Sequence, residues 1–295
     1  MGTEAEAMSG SLQLCASPIG NLGDITYRAV AALRAADLIL AEDTRRTAGL
    51  LHHYGLPVAG RLRSFHDHNE RERTAAALER VRSGASVVLV TDAGMPTVAD
   101  PGFHLVRAAI EADVPVHVLP GPSAVVAAVA LSGLALHQFA FYGFLPRRSG
   151  ERAAALRTAL ARPLTAVWFE APHRLPATLQ AIVAAGFGVR RVAVARELTK
   201  VHEEVVRGLA QELAERYAAG TVRGEVTLCV EGAEADVAVA VADNETQWGS
   251  ALGRINGLRS AGTGLAAAVA SVARDTGLSR RELYRRAVQP APPDR

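Results

Sequence analysis

From Ser11 to about Leu119 short apolar β-like runs alternate with amphipathic helical stretches, and no other feature of the chain constrains its fold as strongly. The strand candidates are Leu12 to Ala16, Leu38 to Ala41, Arg61 to Phe65, Ser86 to Thr91 and Val114 to Leu119. Between them, stretches such as Thr26 to Ala35 and Asn69 to Arg82 return apolar residues at three- and four-residue spacing, the period of a helix with one buried face. Strand, helix, strand repetition predicts a largely parallel sheet covered on both faces. Three strands run directly into Gly/Pro-rich loops: SPIGNLGD, TDAGMPTVADPG and PGPSA. In open α/β sheets, ligands bind at loops of this kind, at the carboxyl ends of the strands.

A second α/β unit follows the Phe-rich segment FAFYGF and a polar hinge, LPRRSGER. Its strands are expected at Thr165 to Phe169, Arg191 to Ala195, Glu203 to Arg207 and Glu225 to Val230, with helices near Leu175 to Ala185 and Leu209 to Ala218. Beyond Gly232 the composition shifts to AEADVAVAVADNET, which reads as a connector. Two helices joined by TGLS come next, with Ser279 as N-cap and Glu282 at the third helical position. The expected organisation is a disordered leader (1–10), an N-terminal α/β domain (11–137), a C-terminal α/β domain (138–232), a linker (233–245) and a small basic helical domain of helix-turn-helix type (246–290).

Charge separates the tail from the rest. From Thr246 to Arg295 eight arginines face Asp275, Glu282 and Asp294, a local net of +5 in a chain whose formal charge is +2. Any surface for an anionic polymer is therefore concentrated at one end. The two cysteines, Cys15 and Cys229, lie in separate apolar runs, which points to a reducing, cytoplasmic setting instead of a disulfide framework. No formal charge occurs between Val114 and Pro146, but Pro115, Pro120 and Pro122 interrupt the stretch, and its apolar part from Ala124 to Leu136 is too short to span a bilayer. The N-terminus carries acidic residues and lacks the apolar run of a signal peptide.

Several motifs place chemistry at strand ends. SPIGNLGDIT is a glycine-containing turn in which Asp24 can cap the next helix; it lacks both the GxGxxG spacing of a dinucleotide fold and the lysine of a phosphate-cradling loop. In TDAGMPTVADPG, Asp92 offers an acceptor beside a glycine that allows close backbone approach to a ligand, while Asp100 before Pro101 reads as a helix N-cap. His66, Asp67 and His68 stand in a row, but strand neighbours face opposite sides and no zincin spacing accompanies them, so no metal is expected; substrate contact or helix capping by Asn69 is the expected role. FEAPHR and RELTKVHEE put charge directly after apolar strands. The second holds Lys200, the only lysine in the chain, where every other basic residue is arginine.

Taken together and in order, SPIGNLGDIT, AEDTR, SFHDHNE, TDAGMPTVADPG, PGPSA, FYGFLP, FEAPHR, RELTKVHEE and GEVTLCVEG resemble the ribosomal RNA small subunit methyltransferase I family, the 16S rRNA cytidine 2'-O-methyltransferases of the tetrapyrrole methylase superfamily. The resemblance runs from about Leu12 to Gly232, and TGLSRRELYRRA resembles the helical domain many members append. One departure is Ser17, where the family pattern has threonine; the hydroxyl is kept.

The resemblance implies two α/β domains with S-adenosylmethionine in the cleft between them. The cofactor would lie against Pro18 and Ile19, against Thr91, Asp92, Gly94 and Met95, and against Ser123 and Ala124, with Phe169 closing from the second domain. It also implies a homodimer and a substrate in the 16S rRNA of the small ribosomal subunit. Methyl transfer to a ribose 2'-hydroxyl needs alignment together with a base or a stabilising cation, and Lys200, Glu197 and His202 offer those groups. Arg174, Arg280, Arg281, Arg285 and Arg286 are the expected RNA contacts, through phosphate attraction. The alternatives on the same scaffold are a tetrapyrrole methyltransferase and a non-catalytic RNA-binding module.

Overall fold

The computed structural model describes residues 10–233 and 237–288. Two compact units divide the chain, one ending at Ala233 and the other formed by the residues beyond it. Most of the leader expected at 1–10, and residues 289–290 of the expected tail domain, lie outside the described residues.

The first sheet contains β1 (Ser11–Cys15), β2 (Leu38–Ala41), β3 (Leu62–Ser64), β4 (Ser86–Val90) and β5 (Val116–Leu119), all parallel, in the order β3-β2-β4-β1-β5. Its side chains alternate between two cores. Leu12, Val87 and Leu89 point to the layer formed by α3 (Glu70–Arg82) and α4 (Phe103–Glu111), whereas Cys15, Val88 and Val90 face α1 (Tyr27–Ala35) and α2 (Thr44–His53). Period-two alternation in a strand covered on both sides explains why these runs are apolar throughout. Both thiols are free and buried, and burial pushes each up to about 12.

The second sheet holds β6 (Phe139–Phe144), β7 (Thr165–Glu170), β8 (Arg191–Arg196), β9 (Glu204–Leu209) and β10 (Val226–Val230), in the order β6-β7-β10-β8-β9. Only β6 and β7 run parallel; the other pairs are antiparallel. One face packs against α6 (Ser149–Leu160), α7 (Leu175–Ile182) and α8 (Ala210–Ala218) around Trp168, which stacks on Tyr142 at 5.4 Å. The other face is covered by α5 (Ala124–Ser132), whose Val125, Ala128 and Val129 meet Val167, Ala193, Ala195 and Cys229. Thus the last helix of the first domain is the cover of the second sheet.

Several local expectations change. The cap of α1 is Thr26, whose Oγ1 accepts the Ala29 N–H, while Asp24 sits in a preceding 3-10 turn. Helix α4 starts at Phe103 after Gly102, so Asp100 does not cap it; the Gly102 N–H instead donates to the buried Glu70 carboxylate at 2.7 Å. FAFYGF is a strand, and half of the expected hinge is the first turn of α6. Helix α7 ends at Ile182, followed by a π turn with Gly186 at φ 93°.

The second unit is α9 (Val237–Ser260), α10 (Leu265–Thr276) and α11 (Arg280–Val288). Ala251, Ile255, Ala268, Val269, Val272 and Leu283 form its core. The connector expected at 233–245 is therefore already helical from Val237, because an alanine-rich run continues a helix more readily than it breaks one. Ser279 does accept the Glu282 N–H at 3.4 Å.

Trp168 is essentially sealed from solvent at the centre of the second lobe. Trp168→Ala is expected to destabilise the protein by about 3–5 kcal/mol, read as a lowered urea midpoint by circular dichroism; a loss below about 1 kcal/mol would assign the core to other residues.

Candidate functional site

Three loops leave the carboxyl ends of the adjacent strands β4, β1 and β5, and they are tied to one another before they touch anything else. Ser17 and Gly94 exchange both backbone hydrogen bonds, at 2.9 and 3.1 Å, and the buried Ser17 hydroxyl donates to the Thr91 carbonyl at 3.0 Å. Gly94 stands at φ 78°, a left-handed conformation that glycine adopts without a Cβ penalty. The third loop comes so near the first that a Cβ on Gly121 would lie 2.8 Å from that of Ala16.

Above these loops is a cavity of about 310 Å³, within the usual range for a small-molecule site. Its floor includes Ile19, Gly94, Met95, Asp100, Ser123 and Ala124; Phe144, Phe169, Glu170 and Glu225 contribute from the second lobe. Six of the nine residues expected to hold a cofactor therefore line it: Ile19, Gly94, Met95, Ser123, Ala124 and Phe169. Phe169 is braced by Phe141 and Phe144, with ring centroids 4.8 and 5.6 Å away.

Pro18, Thr91 and Asp92 do not line it. Asp92 points instead to the AEDTR segment: its Oδ1 accepts the Asp43 N–H at 3.1 Å, its Oδ2 lies 3.4 Å from Arg46, and its own N–H donates to Glu42. A carboxylate at a strand end was legible, but its direction was not. Asp100 is the acidic residue of that loop that lines the cavity. Burial, followed by the charge of Glu42, pushes it from 3.8 up to about 7, while the nearby Thr91 hydroxyl opposes the shift. Thr91 Oγ1 is itself buried with no partner at hydrogen-bonding geometry. Thr97 and Ala99, both just before Asp100, have φ values of 72° and 63°, so this short loop carries backbone strain.

RELTKVHEE closes over the first loop from the second lobe. The Asn21 N–H donates to Thr199 Oγ1 at 3.0 Å, and a Cβ on Gly20 would meet Lys200 Cγ at 2.5 Å. Lys200 Nζ donates to Glu197 at 2.7 Å and to Glu225 at 3.1 Å. Partial burial would lower the ammonium pKa, but the bonds to Glu197 and Glu225 outweigh it and raise the net value. Glu197 is held below the usual carboxylate range, chiefly by Lys200. Neither Lys200 nor Glu197 lines the cavity; they reach it through Glu225. His202 is exposed.

The expected RNA contacts divide. Arg174 is turned inward: Nε lies 3.2 Å from the fully buried Glu170, and Nη2 donates to the Leu145 and Pro146 carbonyls. It supports the loop after β7 and is not free to bind a polyanion. Arg285 and Arg286 both pair with Glu282, and Arg286 lies over the Trp248 ring at 4.7 Å. Arg280 and Arg281 are exposed with no ion-pair partner among the described residues. His66, Asp67 and His68 lie in a turn beyond β3, so the strand alternation expected for them does not apply. There Asn69 Oδ1 accepts the His66 N–H at 2.8 Å and does not cap α3.

The model of the tetrapyrrole (corrin/porphyrin) methylases matches residues 12–214. A ribosomal RNA small subunit methyltransferase I of Micromonospora olivasterospora is 48% identical over 247 residues, covering 82% of this chain and 78% of its own. The protein of the same name from Halalkalibacterium halodurans is 38% identical across 93% of both chains. A crystal structure of uroporphyrin-III C-methyl transferase from Thermus thermophilus with S-adenosyl homocysteine superposes with a TM-score of 0.55 at 21% identity, covering 75% of this chain and 97% of that one.

The raised pKa of Asp100 has a thermodynamic sign. The folded chain keeps this proton up to about pH 7, whereas an unfolded aspartate releases it near 3.8, so the group's contribution to stability falls as pH rises through that window. Asp100→Asn is therefore expected to gain stability relative to the wild type between pH 5 and pH 8, measured as urea midpoints. An equal difference at both pH values would remove the assignment.

Proposed function

The chain belongs to the ribosomal RNA small subunit methyltransferase I family of the tetrapyrrole methylases, and from that premise we propose that it transfers a methyl group from S-adenosylmethionine to the ribose 2'-hydroxyl of a cytidine in small-subunit 16S rRNA. The observation that carries this reading is the identity to relatives bearing that name, which extends through both lobes and, in one case, almost the whole chain.

The cavity supports the cofactor independently. No lysine or arginine lines it, while Asp100, Glu170 and Glu225 do, on otherwise largely apolar walls. That donor set disfavours a dinucleotide phosphate and suits a ligand with an apolar body and a positive centre. Ile19, Gly94, Met95, Ser123 and Ala124 would hold the cofactor from one side and Phe169 from the other. Bound there, S-adenosylmethionine supplies an electrophilic sulfonium methyl. The chain's own task is to orient the ribose hydroxyl and handle its proton. Asp100, with a pKa of about 7, is the lining carboxylate able to exchange a proton near neutral pH. Lys200 remains protonated between Glu197 and Glu225 and acts as a fixed positive charge at the edge of the cavity. Pro18, Thr91 and Asp92 shape the loops that the cofactor meets.

The exposed Arg280 and Arg281 on α11 serve RNA attraction. The finer assembly is a homodimer, supported by exposed Val126, Leu136 and Phe139. Among the described residues no helix is long and apolar enough to cross a membrane. The cytoplasm, where small subunits are found, is the proposed location.

Radiolabelled S-adenosylmethionine offered with unmethylated small subunits is expected to label 2'-O-methylcytidine, whereas label passing to a porphyrinogen instead would favour the tetrapyrrole alternative. In the same assay Lys200→Arg is expected to lower single-turnover transfer by about 100-fold with cofactor affinity within about threefold of wild type. Normal turnover would leave the lysine a purely structural tie. Reversal of Arg280 and Arg281 to glutamate is expected to reduce the slope of log affinity for RNA against log salt by about 0.7 per lost phosphate contact.

A further inference from the structure

Beside the cofactor cavity lies a second cleft of about 800 Å³, walled by Phe144, Leu145, Pro146, Arg147, Arg152, Ala171, His173 and Arg174. Phe144 and Ala171 line both spaces, so the two adjoin. Their electrostatics are opposite: the first has carboxylates and no lysine or arginine, the second has three arginines, a histidine and no carboxylate.

Two of the three arginines are not accounted for by the fold. Arg174 is tied to Glu170, and Arg148 outside the cleft pairs with Glu151 at 3.1 Å. Arg147 and Arg152 have no acidic partner among the described residues, and Arg152 Nε is buried with no hydrogen-bond acceptor. Both flank the amino-terminal turn of the twelve-residue helix α6, whose N-cap, Arg148, makes no side-chain capping bond. An anion bound at this end of the helix would meet the positive end of its dipole as well as the two guanidiniums.

Phe144 adds a second type of contact. The pairing of β6 with β7 shifts register between Phe141 and Phe144, and Gly143 in the interruption has φ 67°. Such a bulge re-aims the following side chain. Phe144 is 59% exposed although it packs beside Phe169. Exposed aromatic rings next to unpaired arginines are what single-stranded RNA requires, because an unstacked base covers the ring while phosphates take the guanidiniums.

We propose that this cleft is the binding site for a single-stranded segment of the RNA substrate, with phosphodiesters on Arg147 and Arg152 and a base stacked on Phe144 at the mouth of the cofactor cavity. This rests on the methyltransferase reading for the identity of the strand, but the cleft itself can be tested apart from turnover.

A labelled single-stranded oligoribonucleotide of small-subunit rRNA sequence is titrated with the full chain by fluorescence anisotropy over a salt series. Arg147→Glu, at an exposed position, and Phe144→Ala are each expected to weaken binding about tenfold or more. Arg152→Gln should lower the log–log salt slope by about 0.7. Cofactor affinity of Arg147→Glu, measured by calorimetry, should stay within about twofold of wild type and certify the fold. Wild-type RNA affinity in both arginine variants would overturn the site. So would displacement of the oligonucleotide by polyglutamate at equal charge concentration, which would assign the cleft to an acidic protein. If the wild type fails to methylate small subunits but the variants lose oligonucleotide binding, the methyltransferase reading falls and the cleft stands.

Discussion

The apolar layer between α5 and the second sheet is the contact on which the site depends. It joins Val125, Ala128 and Val129 to strands β7, β8 and β10, and it also takes in Ile19 and Leu198 from loops of opposite lobes. Burying these side chains yields roughly 1.5–3 kcal/mol for each large one. Phe169 packs against the same layer and lines the cavity together with Gly94 and Met95. Ser123, at the start of the same helix, reaches the cavity because it is the N-cap of α5 and its Oγ accepts the Val126 N–H. A capping residue is held in place by the helix it begins, so a side chain at this position is positioned without a dedicated support.

Polar contacts then close what the apolar layer brings together. Gly20 and Gly224 leave room for Lys200 and Glu197, and a Cβ at Gly224 would lie 2.4 Å from the Glu197 carboxyl group. Glu197 and Thr199 are held at φ 50° and 66°, unusual for residues with side chains. Each is secured by a hydrogen bond: Glu197 accepts the Glu225 N–H, and Thr199 donates its N–H to Glu203 at 2.6 Å. Strain of this kind persists where surrounding contacts over-determine the loop.

The fold was largely legible because two-sided burial writes uninterrupted apolar strands and one-sided burial writes helical spacing. Reading failed where side-chain direction mattered. Asp92 and Asp100 occur in the same Gly/Pro-rich loop, and nothing in their spacing says that the first turns to Arg46 while only the second is among the residues lining the cavity. Asp100-Pro101 imitates a helix start, but Gly102 at φ 123° delays α4 until Phe103. Arg174 follows a strand and reads as exposed, yet the acid four residues earlier is buried and claims it. Lys200 drew attention through composition, which is blind to depth; it sits behind Glu225 instead of lining the cavity. The cleft beside α6 was missed because its arginines occur in a segment that looks like a hinge.

The layout of α5 also orders events during synthesis. Helix α5 ends at Ser132, while β10, the strand it must cover, begins at Val226. The parallel sheet of the first lobe is complete once Leu119 has been made. The other half of the cavity requires contacts with residues far along the chain, and such non-local contacts form late. A nascent chain stopped between Ser132 and Val226 therefore carries a folded floor with an incomplete ceiling, and leaves Val125 and Val129 without the central strand of the sheet that covers them. The same face that later excludes water is, in that interval, a surface for chaperones or for premature association. Competence to bind a cofactor thus arrives nearly all at once, when β10 slots between β7 and β8.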